Sequence, residues 1–171
     1  MKYADGPTAE VHARIDAPPA AVWELVSDIR TPTLFSTEVQ EVTWLDDRRF
    51  VGRSRHPAIG EWETTCTVTA REPERELAWV VGDPEHPAAS WRFVLVPDGD
   101  GTLLRQWMRL GPGPSGLTPA ITARPDKEER IVARRLDEHR ANMQATVDGI
   151  GRLAEDRRAG HARVDEVPPP G

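Results

Sequence analysis

Five side chains that could take part in chemistry fall among apolar positions of the chain: His56, Thr64, Cys66, Gln106 and His139. His139 interrupts an apolar helical stripe, and an imidazole buried there needs a hydrogen-bond partner because bare burial of a polar group is costly. Its ordinary titration near neutral pH would also suit a general base. The alternative is a histidine satisfied within the core, which is the commoner role. We assign His139 to catalysis as a hypothesis beside that structural alternative.

The other polar side chains of this set have simpler interpretations. Gln106 is the second catalytic assignment, although a strand glutamine more often forms hydrogen bonds within the core or at its rim. His56 precedes Pro57 at the end of a strand, which is typical of a turn residue. Cys66 has no histidine near it in the sequence and no helix N-terminus beside it, so a reactive thiol is not expected.

The sequence lacks the motifs typical of metal binding and of phosphate binding. The five histidines, at positions 12, 56, 86, 139 and 161, do not have the spacing of metal ligands. Glycines alternate with prolines at 111–116, and proline lacks the amide donor that a phosphate-binding loop uses. The arginines at positions 130, 134, 135 and 140 are expected on a solvated helix face. The sequence therefore predicts no metal and no cofactor.

Apolar periodicity predicts the elements that must position these residues. Alternating patterns predict one strand, a short helical segment and then six strands joined by short turns, which is typical of an antiparallel meander. A helix is expected to start at Asp16–Pro19 and to extend towards Ile29, with a second short helix near Leu34. From Lys127 to about Arg157 the sequence predicts a helix of about 30 residues, or ~45 Å. The strands are expected at 8–16, 39–45, 50–56, 61–71, 77–81, 90–96 and 102–110.

The alternation along the strands also predicts which side chains face inward. One helix cannot fill a strongly curved seven-stranded sheet, so we expect a cavity between the sheet and the 127–157 helix. Aromatic side chains share the inward face of neighbouring strands, which suits a flat apolar ligand, whereas Trp107 is expected to point outward. The predicted ligand-binding residues are Phe50, His56, Trp62, Thr64, Cys66, Trp79, Trp91, Phe93, Met108 and Met143.

A family resemblance agrees with this order of elements. The segment Ile15–Asp28 and the Gly- and Pro-rich connector 111–116 resemble the START/SRPBCC superfamily, in particular its polyketide cyclase/dehydrase branch, over about residues 8–157. The resemblance implies an α+β helix-grip fold, in which a seven-stranded curved antiparallel sheet surrounds a long C-terminal helix and two short helices follow the first strand. We expect an N-terminal extension at 1–7, a ligand-binding domain at 8–159 and a disordered tail at 160–171.

Charge and cysteine content limit the partners. The chain has 22 basic and 28 acidic side chains and a net charge of -6, which argues against nucleic-acid binding. Its single cysteine excludes an intramolecular disulfide and fits a reducing compartment. There is no leader pattern and no apolar run of ~20 residues. We expect a cytoplasmic protein without a membrane span, a monomer or homodimer, whose partner is an apolar small molecule.

Two functions remain open. The resemblance implies a poly-β-ketone substrate that is cyclised and aromatised by intramolecular aldol closure and loss of water, in which orientation supplies most of the acceleration. Aromatising relatives resemble one another in using pocket arginine and tyrosine groups. Here the only tyrosine is Tyr3, and the strand arginines at 53, 55, 92, 105 and 109 face outward by alternation. The alternative is a non-catalytic carrier, sequestering or self-resistance protein for a hydrophobic metabolite of secondary metabolism. A chaperone-activator role, also found in this superfamily, has no distinctive support.

Overall fold

Seven antiparallel strands form one curved sheet in the computed structural model, which describes residues 1–165. The strand order is β1-β7-β6-β5-β4-β3-β2, so β1 and β2 are the two edges. Every strand begins and ends within two residues of its predicted bounds. The strands are β1 (Thr8–Ile15), β2 (Val39–Trp44), β3 (Arg49–His56), β4 (Gly60–Glu72), β5 (Glu76–Val81), β6 (Ala89–Asp98) and β7 (Gly101–Leu110).

A short helical connection carries the chain from one edge of the sheet to the other. Helix α1 (Pro19–Val26) follows β1 and buries Val22, Leu25 and Val26. Pro18 precedes its first residue and supplies no side-chain cap. The predicted second short helix is a 3-10 helix at Thr31–Leu34, after which β2 begins.

The long C-terminal helix is longer than predicted. After a short helix α2 (Thr118–Ala123) and a 3-10 turn, α3 runs over Glu128–Asp165, 38 residues. It thus extends eight residues past the predicted end at Arg157, into the segment expected to be a disordered tail. The rest of that predicted tail, 166–171, lies outside the described residues. The sheet and the long helix confirm the helix-grip architecture.

The two faces of the sheet differ as the alternation predicts. Phe50, Leu77, Phe93 and Leu104 are buried on the inner face, each at most 5 % exposed. On the outer face the guanidinium of Arg92 lies 4.7 Å from the ring centre of Trp107, a cation–π contact. The apolar core therefore lies between the sheet and α3.

Helix α3 covers only part of the inner face. It packs mainly against β1, where Val147, Ile150 and Ala154 are fully buried. The strands towards the β2 edge curve away from the helix and leave a space between the two. No helix within residues 1–165 is long and apolar enough to cross a bilayer.

Candidate functional site

A cavity of about 610 Å³ lies between α3 and the inner face of the sheet. Its exposed lining residues, among them Ile59, Pro114 and Gly116, mark an opening to solvent. All of the predicted site residues except His56 and Met108 line this cavity. Those that do are Phe50, Trp62, Thr64, Cys66, Trp79, Trp91, Phe93, Gln106, His139 and Met143.

Aromatic rings form one wall of the cavity. Trp79 of β5 pairs in register with Trp91 of β6, and their rings stack at 6.2 Å between centroids with 6° between planes. Phe93 and Phe50 contact Trp79 at centroid distances of 5.9 and 6.2 Å in tilted and edge-on arrangements. Aromatic side chains packed this way supply a large, rigid apolar surface. The two stacked tryptophans remain half-buried and border the cavity.

His139 of α3 borders the cavity beside this wall. Its ring meets Trp91 edge-on at 5.3 Å between centroids. Burial, with a further contribution from the positive charge of Arg135, lowers the pKa of His139 to about 3, and Glu138 only partly opposes that shift. The imidazole is therefore neutral at pH 7 and weakly basic.

Arg135 lies one helical turn before His139 and is buried, contrary to the prediction that it belongs to a solvated face. Its Nη1 and Nη2 donate to Oε1 and Oε2 of Glu38 at 2.5 and 2.8 Å. Burial alone would lower the pKa of Arg135, but the hydrogen bonds and charges of Glu38 and Glu138 raise it, so the guanidinium keeps its charge. Both members of the Arg135–Glu38 pair line the cavity.

The sequence contained a partial signal for this pair. Arg135, His139, Asn142, Met143 and Thr146 follow the spacing of one helix face, and all of them line the cavity. A register argument from His139 and Met143 would therefore have placed Arg135 inside. Its partner Glu38 lies 97 residues away in the sequence, and no local pattern connects the two.

His56 belongs to a polar cluster beside the cavity. Its Nε2 lies 3.3 Å from Oε2 of Glu138, and the backbone N–H of Ala58 donates to its Nδ1. Arg135 also donates to Oε2 of Glu138, at 3.2 Å. The partner on Nδ1 leaves the proton of a neutral ring on Nε2, facing the carboxylate. His56 thus contacts Glu138 beside the cavity but does not line the cavity itself.

Two carboxylates and an imidazole in this region lie close enough together to bind a metal ion. Ligand atoms of Glu38, His56 and Glu138 lie within 4.8 Å of one another. The guanidinium of Arg135 already donates to both carboxylates, so its positive charge balances the negative charge that a metal ion would need. An ion-pair network accounts for these three residues, so we do not assign a metal to them.

The remaining predicted residues differ in what surrounds them. Met108 is fully covered and pairs in register with Ala9 of β1, so it packs in the solid core. Gln106 is 5 % exposed, and its Oε1 is the one buried side-chain nitrogen or oxygen without a hydrogen-bond partner in residues 1–165. Burial raises the pKa of the Cys66 thiol to about 12, which a hydrogen bond from Thr64 only partly offsets.

The only tyrosine does not reach the cavity. The Tyr3 hydroxyl donates to the carbonyl oxygens of Ala88 and Gly113, at 3.2 and 2.8 Å. The backbone N–H of Tyr3 donates to Glu128 at the start of α3. Tyr3 thus connects the N-terminal segment to the connector 111–116 and to α3. Its hydroxyl forms structural hydrogen bonds with backbone carbonyl groups.

Solved structures with this architecture come from several bacteria. A polyketide-cyclase-like protein from Corynebacterium glutamicum is 28% identical, with a TM-score of 0.61 over 90% of this chain and 94% of that chain. An aromatase/cyclase from a Streptomyces strain is 16% identical, with a TM-score of 0.61 over 88% and 94%. A START superfamily protein from Mycobacterium smegmatis is 14% identical, with a TM-score of 0.56 over 84% and 98%. The last two show the similarity of fold alone.

Sequence comparison identifies the family. No curated protein matches the chain. Residues 7–155 match the model of the family described as polyketide cyclase/dehydrase and lipid transport, which covers the sheet and most of α3. Together with the helix-grip fold and its aromatic cavity, this match shows that the chain belongs to the polyketide cyclase/dehydrase and lipid transport family.

Proposed function

We propose that the protein binds a flat, multi-ring or polyketide-derived small molecule in the cavity and acts as its carrier or sequestering protein. The observation that carries the proposal is the stacked pair Trp79–Trp91, which presents rigid aromatic surface to an open space. A volume of about 610 Å³ falls within the range of small-molecule sites. Rings of a ligand can stack there and gain quadrupole contacts that an aliphatic chain lacks.

Cyclisation of a poly-β-ketone is the second candidate function. Two observations support it: Arg135 and His139 both reach the cavity, and an aromatase/cyclase shares the fold. In an aldol closure, a base removes a proton from the methylene between two ketones, and the resulting carbanion attacks another carbonyl carbon. The alkoxide formed there takes up a proton, and the alcohol then leaves as water together with a second proton of the former methylene. An N–H of Arg135 not engaged by a carboxylate could stabilise the oxyanion formed on that carbonyl.

The weak basicity of His139 favours binding over catalysis. A general base works best with a pKa near the working pH. The pKa of about 3 lies far below that, so the ring holds a proton too weakly to remove one from a substrate carbon efficiently near pH 7. His139 is therefore better suited to hydrogen bonding with a ligand than to removing its proton.

A calorimetric titration and a product assay separate the two functions. We expect 2-methylanthraquinone, a neutral three-ring probe, to bind at one site with a Kd in the micromolar range, about -8 kcal/mol. A poly-β-ketone mimic should give the same products at the same rate with protein and with buffer. The absence of saturable binding would overturn the proposal. Cyclisation that is lost in His139→Gln but not in His86→Gln would make the cyclase function correct instead.

Three further expectations from the sequence remain predictions. The net charge of -6 predicts that duplex nucleic acid does not bind at physiological salt. A cytoplasmic location and a monomeric or homodimeric state are likewise expected from the sequence, and gel filtration with light scattering would determine the latter.

A further inference from the structure

We infer that the ligand is uncharged and carries a hydroxyl or similar hydrogen-bonding group that pairs with Gln106 and His139. This inference rests on the proposed binding function and specifies the chemistry of its ligand. Two features of the described lining support it: the charge of Arg135 is already paired with carboxylates, and Gln106 presents an unpartnered Oε1 in the same cavity that the neutral ring of His139 lines.

The charge of Arg135 is not free for an anionic ligand. Arg135 is the only lysine or arginine in the described lining of the cavity. Two of its nitrogens engage both oxygens of Glu38, and one of them also donates to Glu138. A ligand carboxylate would have to share this guanidinium with Glu38 and Glu138, and burying a third negative charge beside one positive charge is strongly unfavourable.

His139 cannot supply a compensating charge either. Its imidazole stays neutral near pH 7 because burial and the neighbouring Arg135 hold its pKa at about 3. The ring lines the cavity beside Trp91, so a ligand in the cavity can reach it. A neutral imidazole offers one donor and one acceptor. It therefore matches a hydroxyl group, which both donates and accepts, and it brings no positive charge to offset a carboxylate.

Gln106 provides the second polar contact from the sheet. Its amide lines the cavity, and Oε1 is buried without a partner. An amide can turn by 180° about its last side-chain bond, so either of its polar atoms can face the cavity. A buried amide short of one hydrogen bond is costly until a ligand supplies the missing group. A hydroxylated ring system meets this need, whereas a pure hydrocarbon does not.

Three probes of one ring system test the inference on the wild-type protein. They are 2-methylanthraquinone, 2-(hydroxymethyl)anthraquinone and anthraquinone-2-carboxylate, which differ only in one substituent. We expect the hydroxymethyl probe to bind about 5- to 10-fold more tightly than the methyl probe, since it completes a buried hydrogen bond. The carboxylate should bind at least about 10-fold more weakly than the methyl probe.

Two variants assign the effects to their residues. Gln106→Met keeps the length of the side chain but removes its polar atoms. The variant should therefore keep its affinity for the methyl probe and lose the preference for the hydroxymethyl probe. Glu38→Gln removes the main negative partner of Arg135. Binding of the carboxylate probe should therefore become about 10-fold or more tighter relative to binding of the methyl probe. The wild-type ranking decides the question even if a variant does not fold.

The outcomes distinguish this inference from the proposed function. If the carboxylate binds as tightly as the hydroxymethyl probe, the inference is wrong and ring binding stands. An equal affinity for the hydroxymethyl and methyl probes also contradicts it. If none of the three probes binds, the proposed function fails and the inference fails with it.

Discussion

Arg135 and Glu38 form a two-point ion pair between α3 and the segment that leads into β2, at the far edge of the sheet from β1. Both side chains are 10% exposed. Nearby, Asn142 accepts hydrogen bonds from the backbone and hydroxyl of Thr37. Because the helix packs mainly against the β1 side, these polar contacts connect it to the segment before β2 on the other side of the cavity.

Removing one partner of this pair should destabilise the fold. We expect Glu38→Ala to lower the free energy of unfolding by about 3–5 kcal/mol, because it leaves the charge of Arg135 buried without its main partner. Urea denaturation measures the effect. Arg134→Ala is the matched control, since that side chain is 74% exposed and its contact with Glu138 should contribute less than about 1 kcal/mol. Equal effects in the two variants would contradict the role of the buried pair.

His139 should make the stability depend on pH. Its pKa is about 3 in the folded state and about 6.5 in the unfolded state, so between these values the unfolded chain binds more protons. Stability from this source is fully present above about pH 7 and decreases as the pH falls. From pH 7 to pH 5 the decrease should be about 2 kcal/mol.

Two variants isolate this contribution in denaturation curves measured at both pH values. His139→Gln should flatten the pH dependence, whereas His86→Gln, which changes an exposed histidine, should leave it unchanged. An unaltered slope in the His139 variant would show that its imidazole titrates normally in the folded protein.

The thiol of Cys66 should be almost inert in the folded protein. Burial raises its pKa to about 12, so the thiolate that reacts with iodoacetamide is scarce near pH 8. We expect carbamidomethylation, followed by mass spectrometry, to be about 10³-fold slower than for a free cysteine. Unfolding in guanidinium chloride should restore the ordinary rate. Rapid modification of the native protein would contradict the buried position at the cavity wall.

Gly149 permits close contact between α3 and the 3-10 region after α1. A Cβ at this position would come within 2.3–2.6 Å of the Phe35 ring, whereas one at Gly160 would meet nothing within 4 Å. Gly149→Ala should therefore destabilise the protein by about 1–3 kcal/mol despite the better helix propensity of alanine. Gly160→Ala should be neutral or stabilise by up to about 1 kcal/mol. Thermal melts of both variants compare the two effects, and a stabilised Gly149→Ala would show that the contact is loose.

The sequence predicted those parts of the site that depend on local periodicity. Alternation along a strand places successive side chains on opposite faces, so Trp79, Trp91 and Phe93 could be assigned to the inner face without knowing the fold. Trp107 follows the same rule on the outer face. The register of the sheet then brings Trp79 and Trp91 together.

Other features depend on contacts between distant parts of the chain. Alternation assigns Met108 to the inner face of the sheet. It does not show whether Met108 packs in the core or borders the cavity. The charge of Arg135 favoured a solvated position, because its partner Glu38 is far away in sequence. Helix α2, Thr118–Ala123, is too short to show an apolar period.

The most direct test of the account is binding of a flat neutral ring system against the tryptophan wall. Quenching of tryptophan fluorescence by 2-methylanthraquinone should saturate at one site with a micromolar Kd in the wild type and in Trp107→Leu, whose changed side chain lies on the outer face. Trp91→Leu removes one ring of the stacked pair and should weaken binding by about 10-fold or more. Quenching that does not saturate, or an equal Kd for Trp91→Leu and Trp107→Leu, would contradict the assignment of the cavity as the binding site.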